Sequence, residues 1–188
     1  VFPADSQLLI IGNNAFNSTS IESFDIPSRL QIVGEYSFFN CLKLRRISIP
    51  MNSRLKRIRK SAFVNSRIES FYVPSLLNQF DLSAFASCKN LRKFVISEDS
   101  NLQSFDLKIF TENMIKSLCL PSHVTSINIA SLYINSCQNL EIIEINENSQ
   151  LKEIYYLGFK KNTKVIIMIP TKININQLIL INQTNVFF

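Results

Sequence analysis

The sequence predicts a repeat solenoid of about seven units of 22–27 residues, with a parallel β-sheet on one face and turns or short helical turns on the other. Three observations predict it. A leucine or valine recurs at Leu8, Leu30, Leu55, Leu77, Leu102, Val124 and Leu151, at intervals of 22, 25, 22, 25, 22 and 27 residues. Three residues after each stands an apolar residue (Ile11, Val33, Ile58, Phe80, Phe105, Ile127, Ile154), and five further on a large one, usually phenylalanine (Phe16, Phe38, Phe63, Phe85, Phe110, Leu132, Phe159). Each unit then closes on an apolar pair with period two. A fixed period in this range is the signature of stacked supersecondary units, none of which buries its apolar edge alone.

The closing pair begins after an apolar lead at Ile21, Leu44, Ile68, Leu91, Ile115 and Leu140. Its first members are Phe24, Ile47, Phe71, Phe94, Leu118 and Ile143; its second are Ile26, Ile49, Val73, Ile96, Leu120 and Ile145. These β-branched and aromatic residues in alternation read as a short strand with one buried face. Pro27, Pro50, Pro74, Pro121 and Pro170 follow directly; lacking an N–H for the ladder, proline ends the strand. The stretch holding the phenylalanine is rich in Asn and Ser and too short for a full helix, so it reads as a turn or one helical turn on the opposite side. One ring per repeat predicts a stacked aromatic column. The units run about 8–29, 30–54, 55–76, 77–101, 102–123, 124–150 and 151–170, in a single domain over 1–188, with 171–188 as a closing segment or a truncated repeat.

Segments such as Val33-Gly34-Glu35-Tyr36-Ser37-Phe38-Phe39-Asn40-Cys41-Leu42-Lys43-Leu44 and Ser61-Ala62-Phe63-Val64-Asn65-Ser66-Arg67-Ile68 resemble the BspA-like leucine-rich repeat, also called the Treponema pallidum type. Its pattern is Ile-Gly, Ala-Phe, a Cys or Asn, a Leu, then Ile-x-Ile-Pro, and the resemblance spans about residues 8–170. Departures gather late: Ala-Phe becomes Ile109-Phe110, the sixth unit places Leu132 or Ile134 at the phenylalanine position, and Gly is missing from most units. These bear on regularity near 124–150, not on the fold. The resemblance implies an α/β-type leucine-rich repeat, a cell-surface or secreted protein, adhesion to host matrix proteins or neighbouring cells, and no catalytic residues.

The composition agrees with a binding protein rather than an enzyme. The chain has one histidine and three glycines, with no phosphate-cradling glycine loop and no paired carboxylates beside a nucleophile. No cofactor and no metal is expected, since no CxxC pair occurs and His123 reads as a loop residue. No apolar run approaches the ~20 residues of a membrane span. Val1-Phe2-Pro3 resembles the strand end of an earlier repeat, so the chain reads as a fragment or as having a degenerate first unit. Cys41, Cys88 and Cys137 hold one equivalent position in alternate repeats, two rungs or roughly 10 Å apart, beyond the ~7 Å reach of a disulfide. Cys119 faces the other way. All four read as free thiols.

Two surfaces are candidates for contact. The outward strand positions are Ser23, Arg46, Ser70, Lys93, Ser117 and Ile142, and between the paired apolar residues Asp25, Ser48, Tyr72, Val95, Cys119 and Glu144. Because strand faces present ligands in leucine-rich repeats, Arg46, Ser48, Ser70, Tyr72, Lys93 and Val95 are the candidate ligand contacts. The second surface is charged. Between Glu35 and Glu69 there is no acid, while nine cations fall in that interval against a net charge of +6 for the whole chain. Arg54, Lys56, Arg57, Arg59 and Lys60 read as lying on a turn beside Arg45 and Arg46 of the rung before, a basic patch suited to polyanions. Without a nucleic-acid fold or stacking motif, an acidic glycan or an acidic protein surface on a host or neighbouring cell is the better partner than nucleic acid.

Glu22, Arg45, Glu69, Arg92, Lys116 and Glu141 form a column of mostly alternating sign, read as structural, each opposite pair being worth about 0.2–1 kcal/mol. Asn17-Ser18-Thr19 and Asn182-Gln183-Thr184 are glycosylation sequons of weak specificity. The apolar ending Val186-Phe187-Phe188 suits a broken repeat or an interface, so self-association through the solenoid ends is expected. The leading function is a non-enzymatic binding module, adhesive or joining proteins; the alternative is an intracellular leucine-rich repeat scaffold.

Overall fold

The computed structural model describes residues 2–3, 5–81, 83–130, 137–157, 165–171 and 179–181. Each repeat contributes two short strands rather than one. The even-numbered strands are the predicted ones: β2 (Ser23–Asp25), β4 (Arg46–Ser48), β6 (Ser70–Val73), β8 (Lys93–Ile96), β10 (Ser117–Leu120), β12 (Ile142–Ile145) and β14 (Ile166–Met168). The odd-numbered strands form around the second apolar position of the repeat: β1 (Ile10–Ile11), β3 (Ile32–Val33), β5 (Arg57–Ile58), β7 (Gln79–Phe80), β9 (Ser104–Asp106), β11 (Ser126–Ala130), β13 (Glu153–Leu157) and β15 (Ile179–Ile181).

All pairings are parallel, and the register is the repeat itself. Ile11 pairs with Val33, Val33 with Ile58 and Ile58 with Phe80. Phe24 pairs with Ile47, Phe71 with Phe94, and Leu118 with Ile143. A one-residue slip would turn every apolar side chain outward, so the burial of these positions locks the stack. β11 pairs in register with both β9 and β13, so the sixth unit keeps its place in the odd ladder despite its irregular sequence. Its Leu132 and Ile134, with Phe159 of the next unit, lie outside the described residues.

The phenylalanine column exists where it is described. Phe16, Phe38, Phe63 and Phe85 stack at successive centroid distances of 5.1 Å, with interplanar angles of 10°, 10° and 13°. Phe38, Phe63 and Phe85 are fully buried. Phe94 then meets Phe85 and Phe110 edge-on, at 5.6 and 4.7 Å. Each buried ring or branched aliphatic removes enough apolar surface for about 1.5–3 kcal/mol.

The Asn- and Ser-rich stretch is a turn in the first four units, and the fifth carries the 3-10 turn Leu107–Phe110, capped by Asp106, which accepts from the Lys108 amide. The turns work by left-handed residues on both sides of the ring: Asn14, Tyr36, Ser61 and Ser83 two residues before the phenylalanine, and Ser18, Asn40, Asn65, Ser87 and Glu112 two residues after, all with φ of 53–60°. Asn tolerates that region better than most side chains. The turn backbone also bonds to the next rung, as in Phe16 N–H to Ser37 O, Phe38 N–H to Ala62 O and Phe63 N–H to Ala84 O, at 2.7–2.8 Å. Gly34 is required by close approach: a Cβ there would stand 2.6 Å from the Ile11 carbonyl oxygen.

The alternation of 22 and 25 residues has a structural cause. After each even strand a tight turn returns the chain, with Leu30 N–H to Pro27 O, Ser53 N–H to Pro50 O and Leu77 N–H to Pro74 O, all at 3.0 Å. Leu30 and Leu77 end that turn, whereas Leu55 follows two residues later. The Cys41 turn carries the third extra residue. Long units thus hold Cys41, Cys88 and Cys137; short units place Thr19, Ser66 and Asn113 at the same position.

Candidate binding surfaces

The predicted ligand contacts share one face of the even strands. In β6 and β8, Phe71, Val73, Phe94 and Ile96 turn inward and are buried, while Ser70, Tyr72, Lys93 and Val95 turn outward. Ser70 lies across from Lys93 and Tyr72 across from Val95. The Lys93 ammonium sits 5.4 Å from the Tyr72 ring centroid, a cation–π contact worth about 0.5–1 kcal/mol at an exposed site. Tyr72 remains 51% exposed. On the rungs before, Arg46 and Ser48 lie across from Ser23 and Asp25, and the Arg46 guanidinium reaches Asp25 at 3.7 Å, both side chains open to solvent. Farther along, the same face carries Cys119 across from Glu144, and the exposed Ile166 and Met168.

The basic run is distributed differently from the expected turn. Arg57 and Ile58 are strand β5 of the odd ladder, while Arg46 belongs to β4 of the even one, so the two-residue strand hidden in the run puts its members on different ladders. Arg57 is neutralised in place: its Nε and one NH2 group bond both carboxylate oxygens of Asp81 at 2.9–3.2 Å. Arg59 is half-buried, with its Nε enclosed and unpartnered. Arg54, Lys56 and Lys60 are exposed, and among the described residues no acid lies within ion-pair distance of them. Arg45 is exposed in the charge column, whose backbone forms a ladder: Arg45 N–H to Glu22 O, Glu69 N–H to Arg45 O and Arg92 N–H to Glu69 O, at 2.9–3.1 Å. Its described ion pair is Lys116–Glu141 at 3.8 Å, between two well-exposed side chains.

The cysteines are free thiols, three buried and Cys119 exposed. Burial pushes Cys88 up to about 12, against the lowering pull of its hydrogen bonds with Ser66. Burial, with Asp106 nearby, also pushes Cys137 to about 12. Cys119 is raised by partial burial and by Glu144 and Glu98. These thiols are therefore held protonated, the opposite of a nucleophile's setting. Among the described residues no three of His, Cys, Asp and Glu gather to hold a metal, and no helix is long and apolar enough to cross a membrane. His123 bonds Ser100 Oγ through Nε2 at 3.0 Å.

Residues 9–135 and 108–186 match the profile of the BspA type leucine-rich repeat region in six copies. The chain belongs to the BspA-type leucine-rich repeat family. Solved structures agree on the fold. The pneumococcal vaccine antigen PcpA is 18% identical over 87% of this chain and 56% of its own, with a TM-score of 0.60. The Treponema pallidum leucine-rich repeat protein is 22% identical over 82% of this chain and 71% of its own, with a TM-score of 0.57. A leucine-rich cell surface protein of Faecalibacterium prausnitzii is 16% identical over 78% and 44%, with a TM-score of 0.51. The chain thus spans about half the length of PcpA and of the F. prausnitzii protein. No curated protein matches it.

In this BspA-type chain the sequence reading missed the outer face of the odd strands. Its residues fall into two rows, Gln79, Ser104, Ser126 and Glu153 in one, Asp81, Asp106, Asn128 and Tyr155 in the other. The available signal was the recurrence, at each second apolar position, of polar residues on both sides from the fourth unit onward.

Proposed function

We propose that the chain is a non-enzymatic binding module of a surface protein, serving adhesion or protein–protein interaction through the outward face of the even strands. The observation that carries this reading is Tyr72 with Lys93: a half-exposed aromatic ring and a cation, held by a rigid sheet and used by no part of the core. Exposed tyrosine rings are what protein interfaces concentrate, whereas lysine is depleted there, so Tyr72 is the anchor and Lys93 its support on the sheet. Arg46, Ser48 and Ser70 form a polar rim to the pair, and the apolar Val95 lies across from Tyr72. The exposed Arg54, Lys56 and Lys60, with Arg45, supply a separate attraction for an acidic glycan or acidic protein surface. Surface placement is supported by the likeness to PcpA, a vaccine antigen, and to the cell surface protein of F. prausnitzii.

The test is binding of the purified chain to immobilised fibronectin and heparin across a salt series, beside Tyr72→Ser/Lys93→Ser and the Ser variant of Arg54, Lys56 and Lys60. Fibronectin binding lost in the first variant, or heparin binding that falls with salt and is lost in the second, supports the reading. Absence of binding to either ligand by the wild type counts against it. A second reading, an intracellular scaffold, draws on the four free thiols, one of them exposed, because reducing compartments preserve such thiols. Glycan at Asn17 in the native protein would exclude it.

A further inference from the structure

The odd ladder is interrupted between the fourth and fifth rungs. β7 is the last strand of one four-stranded sheet, and β9 the first of the next. A cavity of about 360 Å³ opens there, floored by Phe80 and Ile109 and walled by polar side chains from four successive rungs. A second hollow adjoins it, sharing Asn78, Gln79 and Ser104 and adding Asn101 and Gln103. Five amide-bearing residues thus line the two adjoining hollows: Asn78 and Gln79 both of them, Asn128 the first, Asn101 and Gln103 the second. The parallel register sets Asp106, Asn128 and Tyr155 in one line along the solenoid axis, roughly 10 Å from first strand to last at the usual strand spacing.

The chemistry of this lining is specific. Amides both donate and accept hydrogen bonds, and so do sugar hydroxyls. Asp106 is held in place, its Oδ1 accepting from the Lys108 amide and its Oδ2 from Asn128 Nδ2; a carboxylate has about four acceptor sites, so two remain for hydroxyls. Tyr155 is 38% exposed, and its hydroxyl is tied to Glu153 Oε2 at 2.5 Å. The hydroxyl is thereby engaged within the protein, and the ring is left as a flat apolar surface at one end of the cleft. No cation lines either hollow among the described residues, which disfavours a polyanion. The small apolar floor gives a peptide's side chains little to fill.

We propose that this cleft binds a neutral oligosaccharide of two or three rings, with Tyr155 stacking on one sugar face and the amides and Asp106 reading the hydroxyls. The site is distinct from the even-strand face and does not depend on it.

The experiment titrates the full chain with maltotriose, cellotriose, chitotriose and N-acetyllactosamine, and with a heparin tetrasaccharide and a mixed decapeptide pool as controls, by calorimetry at low and high salt. Variants are Tyr155→Ala and Gln79→Ala, both at exposed positions, with circular dichroism and melting to confirm that they fold. The expected result is saturable binding of at least one neutral saccharide that salt leaves unchanged. Each substitution should weaken it about tenfold or more, the loss of one aromatic or hydrogen-bonding contact. The proposal is overturned if no neutral saccharide binds the wild type, if binding survives both substitutions, or if only the heparin fragment or the peptides bind.

Discussion

The thiol of Cys41 donates to the carbonyl oxygen of Phe16, one rung away, at 3.0 Å. Cys88 repeats the contact with Phe63 at 3.1 Å and Cys137 with Phe110 at 3.4 Å. Each phenylalanine of a short unit is thus tied by its backbone to the cysteine of the long unit above it. Cys41 and Cys88 also touch the hydroxyls of Thr19 and Ser66 at 3.4 Å. The conspicuous cysteines of this chain join rungs without bonding covalently.

Replacing Cys88 with Ala should therefore cost about 1–3 kcal/mol, from a lost hydrogen bond and a small cavity. The pH dependence should change with it. A thiol raised to about 12 in the folded state keeps its proton while the unfolded chain ionises from about 8.5 upward. Its contribution to stability is complete below that pH and is lost as pH rises through the folded value. Urea titrations at neutral and alkaline pH should show the wild type losing more stability than Cys88→Ala.

Phe38 is fully buried between Phe16 and Phe63, whereas Phe16 is half-exposed at the first rung. Phe38→Ala should cost about 3–5 kcal/mol, and Phe16→Ala distinctly less. Equilibrium unfolding of the two variants checks the ranking; equal losses would contradict the stacked column as the core.

Ser83 has φ of 58° and no described side-chain hydrogen bond. Ser83→Gly should stay within about 1 kcal/mol of the wild type, because glycine's backbone ease offsets its entropy cost. Ser83→Val should lose about 1–2 kcal/mol or more, since a β-branched residue suffers most in the left-handed region. Melting temperatures of the pair decide it.

Arg57 and its basic neighbours should separate by measurement. Arg57→Ser leaves the half-buried Asp81 carboxylate unpaired and should cost about 1–3 kcal/mol, with little change in heparin affinity. Changing Arg54, Lys56 and Lys60 to Ser should leave stability nearly intact and reduce both heparin affinity and its salt dependence.

The even strands, their proline stops, the phenylalanine column and the shared cysteine position were all legible in the sequence, because each rests on apolar periodicity. The odd strands were not. Ile10–Ile11 or Arg57–Ile58 is too short to show an alternation of its own. The left-handed turns were half legible: Asn14, Asn40 and Asn65 suggest them, while Ser83, Ser87 and Glu112 adopt the same backbone without a compositional sign. For the basic run, nearness along the chain misled, since the partner of Arg57 lies 24 residues away at Asp81. The cleft was illegible for the same reason. Gln79, Asp106, Asn128 and Tyr155 look like scattered polar residues until the stack aligns them.

The most direct test of the binding-module reading is the affinity of the folded chain for immobilised fibronectin, wild type against Tyr72→Ser/Lys93→Ser. The two residues are outward-facing and give up one cation–π contact, so the variant should fold and melt within about 2–4 °C of the wild type. A loss of affinity of tenfold or more, equivalent to about 1.4 kcal/mol, is the predicted result. Equal binding by both proteins, or no binding by the wild type, would contradict the even-strand face as the contact surface.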